Sequence, residues 1–355
     1  MNTWGSKLKV SIFGESHGNG IGVVLDGIPS GLHIDEEQIR REMQRRAPGR
    51  DKLSTPRKEA DEVEILSGVF DGKTSGTPIC GIIRNTNTRS RDYTPNLLRP
   101  GHADFTGFQK YGAFHDYRGG GHFSGRITAP LVFAGAIAKQ ALAQDGITVG
   151  SHIKAIHKVA EQSFLDCELT DAFLKEISEK AFPVICDEKG EEMQKEILSA
   201  AADKNSVGGI IECAVTGLTP GLGSPFFGSV ESLISSMMFS IPAVKGIEFG
   251  RGFEMCGMTG IETNDPFETD GERIYTTTNN NGGINGGITN GMPVVFSLAV
   301  KPTPSIAREQ KTVDTDKIEN TVIEIKGRHD PCIVQRAAVV VECAAALAIL
   351  EAKLI

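Results

Sequence analysis

Short β-branched runs recur along the chain at residues 8–13, 21–26, 63–69, 78–84, 147–156, 209–216, 243–249, 292–300 and 321–325. Each is bounded by Gly, Pro or Asn, so each predicts a strand. Helical spacing predicts helices over 36–46, 127–143, 171–180, 191–203, 230–239 and 331–353. Successive strands are joined by short Gly-containing turns, which points to antiparallel sheets and an α+β fold, not a doubly wound one. The helices at 127–143 and 331–353 are apolar nearly all round, as expected of helices covered on several faces. The last has a start signal: Asp330 as its cap and Pro331 at its first position.

A faint repeat underlies the pattern. Gly27-Ile-Pro-Ser-Gly31-Leu32 is matched by Gly217-Leu-Thr-Pro-Gly221-Leu222, and Gly72-Lys-Thr-Ser-Gly76-Thr-Pro78 by Gly287-Ile-Thr-Asn-Gly291-Met-Pro293. The two apolar helices, each after a Gly-Arg pair, make a third match in the same order. The expectation is one domain over 1–355, built of duplicated halves 1–145 and 207–355 around a shared core, with 146–206 inserted.

Composition narrows the function. The 355 residues include 41 Gly, above the usual share of about 7%, and the net charge is -8. An acidic chain lacks the basic footprint of a nucleic-acid binder. The seven cysteines show no CxxC spacing, which gives no ground for zinc or a disulfide framework. No signal peptide and no long apolar span is recognisable, so the expected location is the cytoplasm, away from membranes.

The glycines cluster beside chemically useful residues. Gly14-Glu-Ser16-His17-Gly18 fits the G-x-S-x-G elbow of serine hydrolases, or a plain glycine turn. Arg99-Pro-Gly-His102-Ala-Asp104 is followed by Tyr117-Arg118-Gly119-Gly-Gly121-His122-Phe123-Ser124-Gly125-Arg126. Open backbone N–H groups and arginines there make an anion nest, or a flexible loop. A basic stretch, Arg40, Arg41, Arg45, Arg46, Arg50, Lys52, Arg57 and Lys58, either meets an anion or is a solvated face. The run from Asn279 to Gly291, rich in Gly and Asn and including Gly286, precedes Lys301-Pro302-Thr303-Pro304-Ser305; it is not a dinucleotide fingerprint.

Taken in order, GESHG, RRAPGR, RPGHAD, YRGGG, NGGINGG, KPTPSI and GRHDPC resemble the signature series of chorismate synthases. The resemblance implies a β-α-β sandwich, a homotetrameric cytoplasmic lyase, and reduced FMN as cofactor. The reaction it implies is the 1,4-elimination of phosphate from 5-enolpyruvylshikimate 3-phosphate to chorismate, in the shikimate pathway, with no net redox change. By resemblance His102 protonates the leaving phosphate, His17 stands by flavin N1, and Asp330 collects the proton from N5. Ser16 and Ser124 relay protons. Arg46, Lys52, Arg99, Arg126 and Arg328 hold the substrate's anionic groups. His122, Phe123, Ser124, Pro242, Ala243, Gly286, Lys301, Pro302, Thr303, Pro304, Ser305 and Arg328 seat FMN. No further nicotinamide-binding segment is recognisable. Reduction of FMN is therefore expected from an external reductant or a separate flavin reductase, although some members reduce their own FMN, with NADP as the nicotinamide.

Departures are local. The family's GGGRSSARET reads here Gly119-Gly-Gly-His122-Phe123-Ser124-Gly-Arg126-Ile127-Thr128. Lys52 stands where arginine is usual, and Pro242 replaces a common asparagine. A weaker or differently placed FMN follows from these. Two other readings stay open: a serine hydrolase using Ser16, and a non-catalytic binder of phosphorylated metabolites.

Overall fold

The computed structural model describes residues 1–49, 52–54, 59–86, 94–112, 114–325 and 329–355. Its first sheet is formed by β1 (Lys9–Gly14), β2 (Gly20–Asp26), β3 (Val63–Ser67) and β4 (Ile79–Arg84). Their spatial order is β1-β2-β4-β3, every neighbour antiparallel, with the short strand Thr3–Trp4 outside β1. The second sheet contains β5 (Thr148–Ile156), β6 (Gly209–Thr216), β7 (Val244–Phe249) and β8 (Val294–Val300). Its order is β5-β6-β8-β7, again antiparallel, with Val159–Ala160 outside β5.

The main helices are α1 (Glu36–Arg46), α2 (Asp104–Tyr111), α3 (Thr128–Ala143), α4 (Asp171–Glu179), α5 (Asp187–Ala202), α6 (Val230–Met238) and α7 (Val334–Leu354). α3 lies on the first sheet and α7 on the second, and the two pack against each other. α1 and α6 complete the helical layer. The result is the expected β-α-β sandwich with one continuous core.

Small residues allow the close approach. A Cβ on Gly135 of α3 would lie 2.3 Å from the Cys343 Cβ of α7 and 2.5 Å from its backbone. A Cβ on Gly81 of β4 would lie 2.4 Å from the Phe133 ring. α1 forms as its ends dictate: the Asp35 side chain accepts from the Gln38 N–H, and Arg45 and Arg46 close the last turn.

The structure corrects the start of the last helix. α7 begins at Val334, flanked by Ile333 with no side-chain cap. Asp330 instead accepts from Arg336 at 2.8 Å, and Pro331 stays in the loop before the helix. An ion pair to a side chain within the first turn has replaced the capping bond. α5 starts at Asp187, earlier than expected; among the elements not foreseen are α2 and β9 (Glu309–Asp314), which forms a hairpin with the longer-than-expected β10 (Glu319–Glu324). The segment 146–206 supplies β5 to the second sheet, and its Phe164, Leu174 and Ile177 cover Ala214 and Val295 on that sheet's outer face. No described helix is long and apolar enough to cross a membrane.

Candidate active site

The turn between β1 and β2 carries Ser16 and His17, and the glycine run after Tyr117 folds directly over it. Gly119, Gly120 and Gly121 all hold positive φ, at 60°, 84° and 52°, a backbone that side chains rarely tolerate. A Cβ on Gly119 would sit 2.1 Å from His17 Cε1 and 2.9 Å from Ser16 Oγ. One residue on, a Cβ on Gly120 would sit 2.8 Å from His102 Cε1, 3.1 Å from its Nε2 and 3.8 Å from Ser124 Cβ. The absence of side chains therefore brings His17, His102, Ser16 and Ser124 around one strip of backbone.

Hydrogen bonds pin these loops. The Ser16 N–H donates to Gly121 O at 3.2 Å. Ser16 Oγ lies 3.1 Å from His17 Nδ1 and 3.3 Å from the carbonyls of Arg118 and Gly119. His122 Nδ1 bonds to Gly14 O at 2.9 Å, so it clamps the first loop. Asn85 Nδ2 donates to Glu15 O and Gly18 O, while its Oδ1 accepts from Arg126 Nε at 3.2 Å. Asn85 was not singled out in the sequence, where a lone asparagine at a strand end carries no signal. Phe123 packs instead over α2, where a Cβ on Gly107 would meet its ring at 2.9 Å.

The RPGHAD segment supplies a compact ion group. Asp104 Oδ2 accepts from Arg99 Nε at 2.8 Å and from the Arg99 N–H at 2.9 Å, while its Oδ1 accepts from Arg99 Nη2 at 2.6 Å. Burial opposes its charge, but His102 and Arg99 outweigh burial and hold the carboxyl well below the usual range. Lys301 Nζ donates to Gly101 O at 2.6 Å, and Pro304 lies beside Gly101, so the KPTPS loop abuts His102's own loop. The Lys301 N–H donates to Ala243 O, which brings the Pro242-Ala243 turn to the same edge. Ser206 Oγ donates to Thr303 O, whereas Thr303 Oγ1 is buried with no hydrogen-bond partner among the described residues. Pro302 and Ser305 flank it in the same loop. Beside Arg99 and Asp104 opens a cavity of about 570 Å³, also lined by Phe108, His115 and Tyr117.

The other arginines of the site are engaged by buried carboxylates. Arg46, 2% exposed, forks onto Asp61 at 2.5 and 2.9 Å. Arg126 pairs with Asp61 and with Glu59, the latter at 3.2 Å. Burial opposes the Asp61 charge, yet these two guanidiniums hold its carboxyl below the ordinary range. Burial lowers Arg46 itself to about 10, partly offset by Asp61, which leaves it charged at neutral pH. Arg336 joins the group through Asp330 and through Arg46 O at 3.0 Å. Ser124 Oγ accepts from the Arg126 N–H at 3.3 Å. Gly286 lies apart, at the exposed tip of the hairpin Ile284–Asn285 with Ile288–Thr289. Lys52 is exposed, and Arg328, Arg50, Arg57 and Lys58 lie outside the described residues.

A sequence profile described as "Chorismate synthase" matches residues 8–354, almost the whole chain. The chain belongs to the chorismate synthase family. Relatives named chorismate synthase include that of Dehalococcoides mccartyi, 46% identical over 343 residues, covering 96% of this chain and 93% of the relative. That of Methanothermobacter thermautotrophicus is 44% identical over 357 residues, covering 99% and 93%. A solved structure titled "Crystal Structure of Chorismate Synthase" superposes with a TM-score of 0.78 at 31% identity, covering 99% of this chain and 93% of that one. Chorismate synthases are lyases, and this chain is one of that enzyme family. The hydrolase reading is not favoured: Ser16 is fully buried beneath the glycine run and its hydroxyl faces carbonyl oxygens.

Proposed function

We propose that the chain performs the elimination implied by its family: 5-enolpyruvylshikimate 3-phosphate loses phosphate and a hydrogen to give chorismate, with reduced FMN bound. The observation that carries this reading is the glycine run that brings His17 and His102 to one wall. Neither ring could approach if Gly119 or Gly120 bore a side chain.

The FMN requirement fits these residues at one point above all. The Thr303 hydroxyl is buried without a partner in a loop otherwise fixed by Lys301 and Ser206, as a polar contact awaiting a ligand would be. Lys301, Thr303, the proline-flanked turn at Pro242-Ala243 and Ser124 would hold the cofactor. When bound, reduced FMN supplies the electron and the hydrogen acceptor that an unactivated C–H bond requires. His102 would give its proton to the departing phosphate; an imidazole is suited to that at neutral pH. His17, held by Ser16, would guard the cofactor's protonation state. Asp330, fixed by Arg336, would receive the proton removed from the ring. Arg46 and Arg126 would meet substrate anions in exchange for Asp61 and Glu59.

The reading is tested anaerobically with purified protein, photoreduced FMN and 5-enolpyruvylshikimate 3-phosphate, following phosphate release and chorismate absorbance together. Equal amounts of both products are expected, and His102→Ala is expected to slow turnover by about 10²–10⁴. Binding of FMN without product would favour a non-catalytic binder. Covalent labelling of Ser16 by a fluorophosphonate would favour a hydrolase.

A further inference from the structure

We infer that Asp104 is a positioning residue for His102: it fixes the imidazole as the Nδ1–H tautomer and leaves Nε2 for the reacting group. The inference rests on the reading of His102 as the proton donor, and it deepens that reading. His102 Nδ1 lies 3.0 Å from Asp104 Oδ1. On the other side of the ring, Nε2 faces Gly120 and has no hydrogen-bond partner among the described residues. A carboxylate accepts and never donates at neutral pH, so the nitrogen facing it must carry the hydrogen.

One competing donor is close. Arg99 Nη2 is 3.3 Å from the same Nδ1, and could in principle donate to it. That nitrogen already has a shorter partner, Asp104 Oδ1 at 2.6 Å. Arg99 therefore serves mainly to aim the carboxylate, its Nε and N–H both fixing Oδ2. The chain is Arg99, Asp104, His102: a guanidinium orients a carboxylate, and the carboxylate orients an imidazole. When His102 is protonated, Asp104 also balances the imidazolium against the nearby guanidinium. This is the logic by which second partners of functional histidines select the tautomer.

The geometry dictates what an amide would do at position 104. Oδ2 takes two donors from Arg99, so an asparagine keeps its oxygen there and turns its NH2 towards His102. Nδ1 then faces only donors, and the hydrogen moves to Nε2.

The experiment reads the ring nitrogens of His102 directly, in full-length protein with ¹⁵N-labelled histidine and no flavin or substrate, the signals being assigned through His102→Gln. Neutral His102 is expected as the Nδ1–H tautomer in the unsubstituted protein and as Nε2–H in Asp104→Asn. In the anaerobic assay Asp104→Asn is expected to lose about 10²-fold in kcat, with KM within about threefold. An Nε2–H tautomer in the unsubstituted protein overturns the inference without any variant. So does an unchanged tautomer in folded Asp104→Asn. If the tautomer is as expected and no turnover occurs, the lyase reading fails, while Asp104's hold on the His102 tautomer stands.

Discussion

Single residues here carry charge where burial alone would forbid it. His152 is fully buried on β5, its Nδ1 2.6 Å from Glu161 and its Nε2 2.9 Å from Glu212. Burial works against the imidazolium, but the two carboxylates outweigh it and hold His152 above its ordinary 6.5. Glu212, also opposed by burial, is drawn down to about 2 by His152 and Lys154. A raised histidine adds stability in full below its unfolded value of 6.5, and loses it as pH rises through the raised folded value. A depressed carboxylate adds stability above its unfolded 4.5 and loses it as pH falls through about 2. The gap in Tm between the protein and His152→Gln is therefore expected to be widest between pH 4.5 and 6.5, and to narrow on the alkaline side. A gap that stays constant up to about pH 9 would show that charge on His152 adds nothing. None of this network was legible in the sequence, because Glu212 is 60 residues from His152 and reaches it only through the β5–β6 pairing, while Glu161 reaches it only because Val159–Ala160 turns back onto β5. The site histidines were legible for the opposite reason. His17 and His102 stand inside glycine motifs whose local order already implies bare backbone beside them.

Elements were read best where one local signal decided them. The strands of both sheets fall within a few residues of the sequence reading, because alternation and glycine turns bound each one. The start of α7 was misplaced because Asp330 and Pro331 satisfy the capping rule locally, while the competing partner, Arg336, lies on the helix itself. α2 was missed because eight residues, three of them aromatic and one Gly, give little periodicity. The crossing of α3 and α7 was legible only as two apolar helices; their distance depends on Gly135, which no periodicity marks. A methyl there would press on Cys343 backbone atoms at 2.5 Å, and backbone within a helix has little room to yield. Gly135→Ala is expected to lose about 1–3 kcal/mol, even though alanine is the better helix former. Urea unfolding would measure it. A loss below about 0.5 kcal/mol would mean that the helices slide apart at no cost.

At the scale of the whole molecule, the two sheets share one plan. Within each, the first strand pairs with the second, the second with the fourth and the fourth with the third; a helix joins second to third, and a buried helix follows the fourth. On this plan β5 stands in the second sheet where β1 stands in the first, and we propose that a duplicated unit would restart near Thr148, with the stretch between β5 and β6 inserted. The sequence hid this because the repeated turns lie after β2 and β6, and nothing in β5 resembles β1 beyond its apolar content. The two units are locked together by charge as well as by apolar packing. Glu342 of α7, fully buried, accepts from Arg45 of α1 at 2.7 Å, Lys139 of α3 at 2.9 Å and Ser151 of β5 at 2.9 Å. Trp4, the only tryptophan, lies beside the first sheet and donates to Ser236 of α6 at 2.8 Å, so its fluorescence reports contact between the units. A chain with two independent cores would lose Trp4 fluorescence and far-UV circular dichroism at different urea concentrations. One continuous core requires a single coincident transition instead. Glu342→Gln removes one of the two carboxylates, Glu342 and Glu42, that Arg45 and Lys139 share, and is expected to cost about 1–3 kcal/mol. It is expected to move both transitions together. If the variant splits them, the sheets hold separate cores, and the helical layer only joins two domains.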